Sequence, residues 1–229
     1  TLTFEVMQML DGTVTYIWEA EAPLHSGAEA QVIAGFWMGR AAVLKNRHPR
    51  AYRHPDLERR VVRSRMITEI SVLKSLHQNG LPVPEVLGTL REGRILILER
   101  IQGTPLCEAL EHAESVVATN LLNDLGRLLR LLHQSDVVHG DLTTHNVVLG
   151  PKGLSLIDFG LARRAPELEH LGLDLHVLKE SLDARHPGIE DSMRLCIEGY
   201  LGACTGHNPN GASVIRRFES ILSRVRYHG

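Results

Sequence analysis

The sequence predicts an α+β fold in two lobes, a small β-rich half carrying one long helix and then a mostly helical half, with a cleft between them. Three observations predict it. Up to about residue 102, short β-type runs separated by turn residues are interrupted once by a long apolar stripe at three- and four-residue spacing. From about residue 103 onward helical periodicity dominates, broken only by short apolar runs between residues 137 and 157. The chain has 229 residues, 43% of them hydrophobic, which is enough for a sizeable core and excludes a disordered or fibrous protein. The expected division is therefore 1–102, ending in a hinge, and 103–229.

Taken in order, residues 2–9 and 13–18 read as two strands joined by Asp11-Gly12, a dipeptide that tolerates the positive φ angles of a tight hairpin turn. A meander follows: 31–37, a turn at Gly39, and 41–44 ending at Lys45. Asp56 is placed to cap a helix over 57–78. Leu57, Val61, Val62, Met66, Ile70, Leu73 and Leu76 form its single apolar stripe, and Asn79-Gly80 with Pro82 stops it. A second hairpin pairs 86–89 with 95–98. Beyond Gly103 the sequence predicts helices over 120–133, 171–182, 190–200 and 213–226, and strands at 137–138, 147–149 and 154–157.

No apolar run approaches the roughly 20 residues needed to span a bilayer. The formal net charge of −2 gives no global basic field, although 21 of the cations are arginine. Cys107, Cys196 and Cys204 lack CxxC spacing, which argues against a zinc module or disulfide framework and fits a reducing compartment. His133, His139 and His145, six residues apart, match no metal-binding spacing. Arg47, Arg50, Arg53, Arg59, Arg60, Arg63 and Arg65 crowd one short stretch. They read either as a surface for nucleic-acid phosphates or as a solvated helix face edging a subunit contact. The scarcity of aromatics beside Tyr52 favours the second.

The chemistry concentrates in His139-Gly140-Asp141-Leu142-Thr143-Thr144-His145-Asn146, followed by Asp158-Phe159-Gly160. An aspartate able to accept or orient a hydroxyl proton, with Asn146 and Asp158 as hard oxygen ligands suited to Mg²⁺, makes the parts of a phosphoryl-transfer site. Upstream, Ala42-Val43-Leu44-Lys45 matches a strand-borne lysine that binds α- and β-phosphates. Glu69 falls on the buried side of the long helix, where an unpaired carboxylate is costly, so Lys45 is its expected partner.

From Leu24 onward the chain resembles protein-kinase-like domains, and more narrowly the small, RIO-related atypical kinase/ATPase subunit of the KEOPS complex, which serves threonylcarbamoyladenosine modification of tRNA. The resemblance rests on Gly27-Ala28-Glu29-Ala30-Gln31-Val32, Tyr52-Arg53-His54-Pro55, the octet at 139–146 and Leu156-Ile157-Asp158-Phe159-Gly160-Leu161. Leu173-Asp174-Leu175 and His186-Pro187 add to it. It implies a two-lobed kinase-like fold that binds ATP with Mg²⁺. Gly27 and Glu29 would lie by the phosphates, and the hinge main chain at Glu99 and Ile101 would meet the adenine, with Leu98 behind. Lys45 would be fixed by Glu69, Asn146 and Asp158 would hold the metal, and Asp141 would handle the nucleophile. It further implies a threonylcarbamoyl-transferase subunit on the larger lobe, a small subunit on the smaller lobe, tRNA as a candidate partner, no membrane, and a cytoplasmic and nuclear setting.

Departures refine this expectation. The phosphate loop has one glycine, Gly27, where ordinary kinases use three. Gly140 replaces the arginine that pairs with a phosphorylated activation loop. Only 10 residues separate Gly160 from Leu171, too few for a peptide-docking platform. ATP hydrolysis or autophosphorylation is thus favoured over broad protein phosphorylation. Residues 1–20 have no counterpart, and residues 225–229 stand where related chains begin a basic tail. The alternatives are a small-molecule phosphotransferase of the aminoglycoside or choline kinase type, which shares the octet, and a nucleotide-binding scaffold without turnover.

Overall fold

The computed structural model describes residues 7–10, 13–16, 18–26, 30–47, 55–90, 94–203 and 210–226. Asp11-Gly12, Gly27, Glu29, Tyr52 and the 227–229 terminus lie outside the described residues. The chain divides into two compact units, Thr1–Lys74 with Pro84–Arg100, and Ser75–Val83 with Ile101–Gly229.

The first unit is built on antiparallel pairing. Strands β1 (Met7–Leu10) and β2 (Thr13–Tyr16) form a hairpin of their own, Met7 opposite Tyr16. Strands β3 (Trp18–Ser26), β4 (Ala30–Trp37), β5 (Arg40–Arg47), β6 (Val86–Leu90) and β7 (Ile95–Glu99) make a five-stranded sheet in the order β3-β4-β5-β7-β6. The sequence reading stops the second strand at Trp18 and expects the next one only at residue 31. Instead Trp18 opens a separate nine-residue strand that runs through Pro23. An edge position makes this possible, because a proline there forfeits no interior ladder bond, and register shifts at Ala20/Ala22 and Pro23/His25 absorb the irregularity.

Alternation along β5 sorts its side chains. Ala42 and Leu44 join Trp18, Ile33, Ile95 and Ile97 in a buried cluster on one face, while Lys45 and Arg47 take the other. Helix α1 (Pro55–Gln78) buries Met66, Glu69, Val72, Leu73 and Leu76; of the expected stripe Val61, Val62 and Ile70 are only half-buried, Val72 joins it, and the Leu57 side chain lies outside the described residues. Asn79-Gly80 ends the helix, and the Leu81 N–H reaches back to the Leu76 carbonyl at 3.0 Å.

The second unit is mainly helical: α2 (Leu106–Glu111), α3 (Ser115–Gln134), α4 (Leu168–Arg185), α5 (Ser192–Gly202) and α6 (Gly211–Arg226). The short helix α2 escaped the sequence reading, since six residues carry too little periodicity to register. Helix α3 buries a leucine-rich face that includes Arg130 and His133. It meets α5 backbone to backbone: a Cβ at Gly126 would fall 1.9 Å from the Cys196 carbonyl oxygen, and one at Gly199 2.0 Å from that of Asn123. Glu169 of α4 pairs with Arg217 of α6. Five short strands complete the unit: β8 (Thr104–Pro105), β9 (Val137–Val138), β10 (Val147–Gly150), β11 (Gly153–Leu156) and β12 (Arg163–Arg164). Strands β8, β10 and β11 form one small antiparallel sheet, and β9 pairs with β12. Among the described residues no helix is long and apolar enough to cross a membrane.

Candidate active site

In the first unit the site starts from strand alternation. Lys45 and Arg47, two residues apart, project to the same side of β5, and α1 presents Glu69 to both. Lys45 Nζ donates to Glu69 Oε1 at 3.0 Å, and the Arg47 guanidinium donates to Glu69 Oε2 at 2.5 Å. Glu69 is fully buried, and both cations are nearly so. The expected lysine–glutamate pair is therefore present, but in company. Arg47, grouped by its sequence neighbourhood with the exposed arginines, is buried and paired, and it must be removed from any tRNA-facing surface. Arg60 and Arg63 are exposed on α1, Arg65 is half-buried, and Arg50, Arg53 and the Arg59 side chain lie outside the described residues. On β7, the Glu99 N–H donates to the Glu85 carbonyl at 2.9 Å and the Glu99 side chain accepts from the Glu85 N–H at 3.2 Å. Its carbonyl is thus the main-chain group it can offer a base. Leu98 beside it is buried. Ile101 opens the longer segment of the second unit.

In the second unit two short pairings set the geometry. Strand β9 leads into the octet, β10 leaves it, the β10–β11 hairpin brings the chain back to Asp158, and β12 returns to β9 with Arg163 opposite Val138. The Ile157 N–H donates to the Asn146 carbonyl at 2.9 Å, tying the segment before Asp158 to the end of the octet. His139 Nε2–H donates to the Ile157 carbonyl at 2.9 Å, and its ring lies 4.8 Å from that of buried Phe159, so His139 braces the loop under Asp158. Asp158 has φ +62°, a left-handed conformation rare for a non-glycine residue and concentrated at functional sites. Asp141 and Asp158 are exposed. Asn146 Nδ2 donates to the Asp141 carbonyl at 2.8 Å and lies 3.4 Å from its carboxylate.

Gly140 has a local reason beyond the missing regulatory arginine. Its φ is +79°, and a Cβ would stand 2.3 Å from the Leu161 carbonyl oxygen. The loop also hangs from α4. Asp174, 2% exposed, accepts from the His139 N–H at 2.6 Å and the Gly140 N–H at 2.8 Å. Two turns further along the same helix, Ser181 Oγ accepts from the Thr144 N–H at 3.1 Å. One helix face thus holds the backbone on both sides of Asp141. Behind Asp174, His133 Nε2 approaches its carboxylate at 3.4 Å, and His133 Nδ1 lies 2.9 Å from the Tyr200 hydroxyl. Burial pushes the Asp174 pKa up, but the His133 hydrogen bond, the positive character of His133 and His139, and the Gly140 N–H outweigh it and hold the carboxyl below its ordinary value.

Sequence reasoning missed Arg47, Asp174, Ser181 and His133 as parts of the site. The signals were present: Arg47 shares strand phase with Lys45, and Asp174 is a carboxylate on the apolar stripe Leu171, Leu175, Leu178.

Among the described residues no group of three His, Cys, Asp or Glu could enclose a metal unaided. A magnesium site completed by phosphates and water needs only one or two protein oxygens. The donor set fits: Asp158 supplies a carboxylate, and Asn146, with Nδ2 turned to Asp141, has Oδ1 left as a hard ligand.

A small antiparallel sheet with a buried lysine–glutamate pair, and a helical unit with an anchored Asp–Asn loop and an Asp-Phe-Gly turn, define a protein-kinase-like, ATP-using class. Comparison with known proteins narrows it: a family profile described as RIO domain matches residues 38–173, and the chain belongs to that family. It is similar to "EKC/KEOPS complex subunit Tp53rkb" of Mus musculus, 31% identical over 89% of this chain and 86% of that protein. It is similar to "KEOPS complex subunit Bud32" of Pyrococcus abyssi, 32% identical over 81% of this chain and 84% of that one. A "Probable bifunctional tRNA threonylcarbamoyladenosine biosynthesis protein" of Methanothermobacter thermautotrophicus is 32% identical over 89% of this chain, which spans 36% of that protein's length.

Proposed function

We propose that this chain is a Mg-ATP-dependent atypical kinase that works mainly as an ATPase within a KEOPS-type assembly and so supports threonylcarbamoyladenosine modification of tRNA. The observation that carries the reading is the octet loop, whose backbone is held at His139, Gly140 and Thr144 by α4 while Asn146 steadies Asp141. That rigidity is what an in-line phosphoryl transfer requires of the group meeting the nucleophile. In this reading Lys45, fixed by Glu69, binds the α- and β-phosphates, with Gly27 and Glu29 beside them, and Glu99 and Ile101 offer main-chain groups to the adenine. Asp141 orients the attacking water and takes its proton as the γ-phosphoryl group leaves ADP. Mg²⁺ held by Asn146 and Asp158 would neutralise phosphate charge.

The relatives' names support membership in the assembly. The reading assigns a threonylcarbamoyl-transferase subunit to the larger lobe, a small subunit to the smaller lobe, tRNA as a further partner, and a cytoplasmic and nuclear setting. The test is phosphate release by the full chain, alone and with the transferase subunit and tRNA, for wild type and Asp141→Asn. Slow turnover that rises with the partners and drops at least about a hundredfold in the variant is expected. Equal rates remove Asp141 from the mechanism. Robust phosphorylation of an aminoglycoside or choline-like amine instead would replace the reading.

A further inference from the structure

Tyr200 of α5 is fully buried, as is His133 of α3. Packing alone asks for phenylalanine at such a position, because a buried phenol oxygen is costly until it is hydrogen-bonded. The bond it makes is to His133 Nδ1 at 2.9 Å, with the two rings edge to face and 5.5 Å between centroids. Its place is set closely. Gly126 and Gly199 bring α3 and α5 together, so that a Cβ at Gly126 would stand 2.7 Å from the Tyr200 nitrogen. Arg130, one turn before His133 on α3, lies over the phenol ring at 5.3 Å. On its other side His133 meets Asp174, whose carboxyl is held below its ordinary value and so stays an acceptor. The Nε2–H of His133 therefore points at Asp174 Oδ2, 3.4 Å away. A phenol hydroxyl both donates and accepts, so it serves Nδ1 whether that nitrogen carries a proton or a lone pair. A buried polar line thus runs from α5 through α3 and α4 to the N–H groups of His139 and Gly140, next to Asp141.

We propose that Tyr200 is a positioning residue for phosphoryl transfer: its hydroxyl holds the His133 ring with Nε2–H toward Asp174, and Asp174 in turn holds the backbone beside Asp141. Removing the hydroxyl leaves Nδ1 without that bond and frees the ring to turn. Asp174 then loses a fixed neighbour, and the octet loses part of its hold on the group that meets the nucleophile. This inference rests on the ATP-using reading above and adds to it a residue from a helix that carries none of the site's motifs.

The test is phosphate release and amide hydrogen exchange of the full chain, for wild type, Tyr200→Phe, His133→Gln and the double variant. In Tyr200→Phe the kcat should fall by about tenfold while the KM for ATP stays within about twofold, since the loss falls on the geometry of transfer rather than on nucleotide binding. Exchange should quicken at His139 and Gly140 and stay as in wild type at Leu122 of α3. In the His133→Gln background Tyr200→Phe should add little, because the hydroxyl then has no imidazole to hold. If Tyr200→Phe does not fold, the wild-type chain carries the test through the nitrogen shifts of the His133 ring, which should show a proton on Nε2. A ring protonated on Nδ1 alone overturns the proposal. So does a Tyr200→Phe kcat within about twofold of wild type, or exchange that quickens equally at Leu122, and either of these leaves the ATP-using reading standing. Full additivity of the two substitutions overturns it as well. A wild-type chain that releases no phosphate, alone or with the transferase subunit and tRNA, overturns the functional reading and this inference with it.

Discussion

Replacing Asp174 with asparagine keeps the side-chain shape and removes half its accepting capacity. Two carboxylate oxygens now serve the N–H groups of His139 and Gly140 and the ring of His133. Asparagine has one acceptor oxygen, and its NH₂ would confront one of those N–H donors. Loss of a charge-assisted bond at about 1.5–3 kcal/mol, with a buried donor stranded at about 1–3 kcal/mol, gives a destabilisation of roughly 3–5 kcal/mol. That is a large share of the roughly 5–15 kcal/mol that holds a domain together. Urea unfolding followed by the helix signal measures it, and hydrogen exchange at the His139 and Gly140 amides localises it. The pH dependence follows from the depressed acidity. Unfolded aspartate titrates near about 3.9, and the folded group lies lower. Its stabilisation is therefore complete above about pH 4 and disappears as pH falls through the folded value. Asparagine does not titrate, so the gap between the proteins should close in acid. A variant within about 0.5 kcal/mol of wild type at pH 7 would refute the reasoning, since that is the ordinary scatter of a neutral substitution. A gap that stays constant into strong acid would refute it as well.

Gly140→Ala forces a Cβ to within 2.3 Å of a backbone oxygen at φ +79°. It should cost about 1–3 kcal/mol and slow phosphate release at least about tenfold, readable by unfolding and single-turnover assays. Gly126→Ala drives a methyl into the Cys196 carbonyl. It should lower stability by about 1–3 kcal/mol or more, whereas Gly188→Ala, with nothing within 4 Å, should fall within about 0.5 kcal/mol of wild type.

The elements with long periodicity were legible: α1, α3 and the closing helices appear with boundaries shifted by a few residues. The lysine–glutamate contact was legible because a carboxylate on a buried stripe demands a partner. The Asp–Asn loop and the Asp-Phe-Gly turn were legible because their spacing is chemistry in itself. What resisted reading depended on tertiary context. Pro23 punctuates a sequence, yet an edge strand accommodates it. Arg47 looked like one more member of a basic run, because charge density along the chain ignores the two-residue phase that turns it inward beside Lys45. Ser181 carries no signal of its own, and its role exists only because α4 runs beside the loop.

The chain's two tryptophans, Trp18 and Trp37, both belong to the sheet unit, where Trp18 is in the core and Trp37 packs against it. Indole emission therefore reports on that half alone, while all the helices after α1 belong to the other. Melting the protein by fluorescence and by far-ultraviolet ellipticity in one cuvette would reveal, without any label, whether the halves come apart together or in sequence.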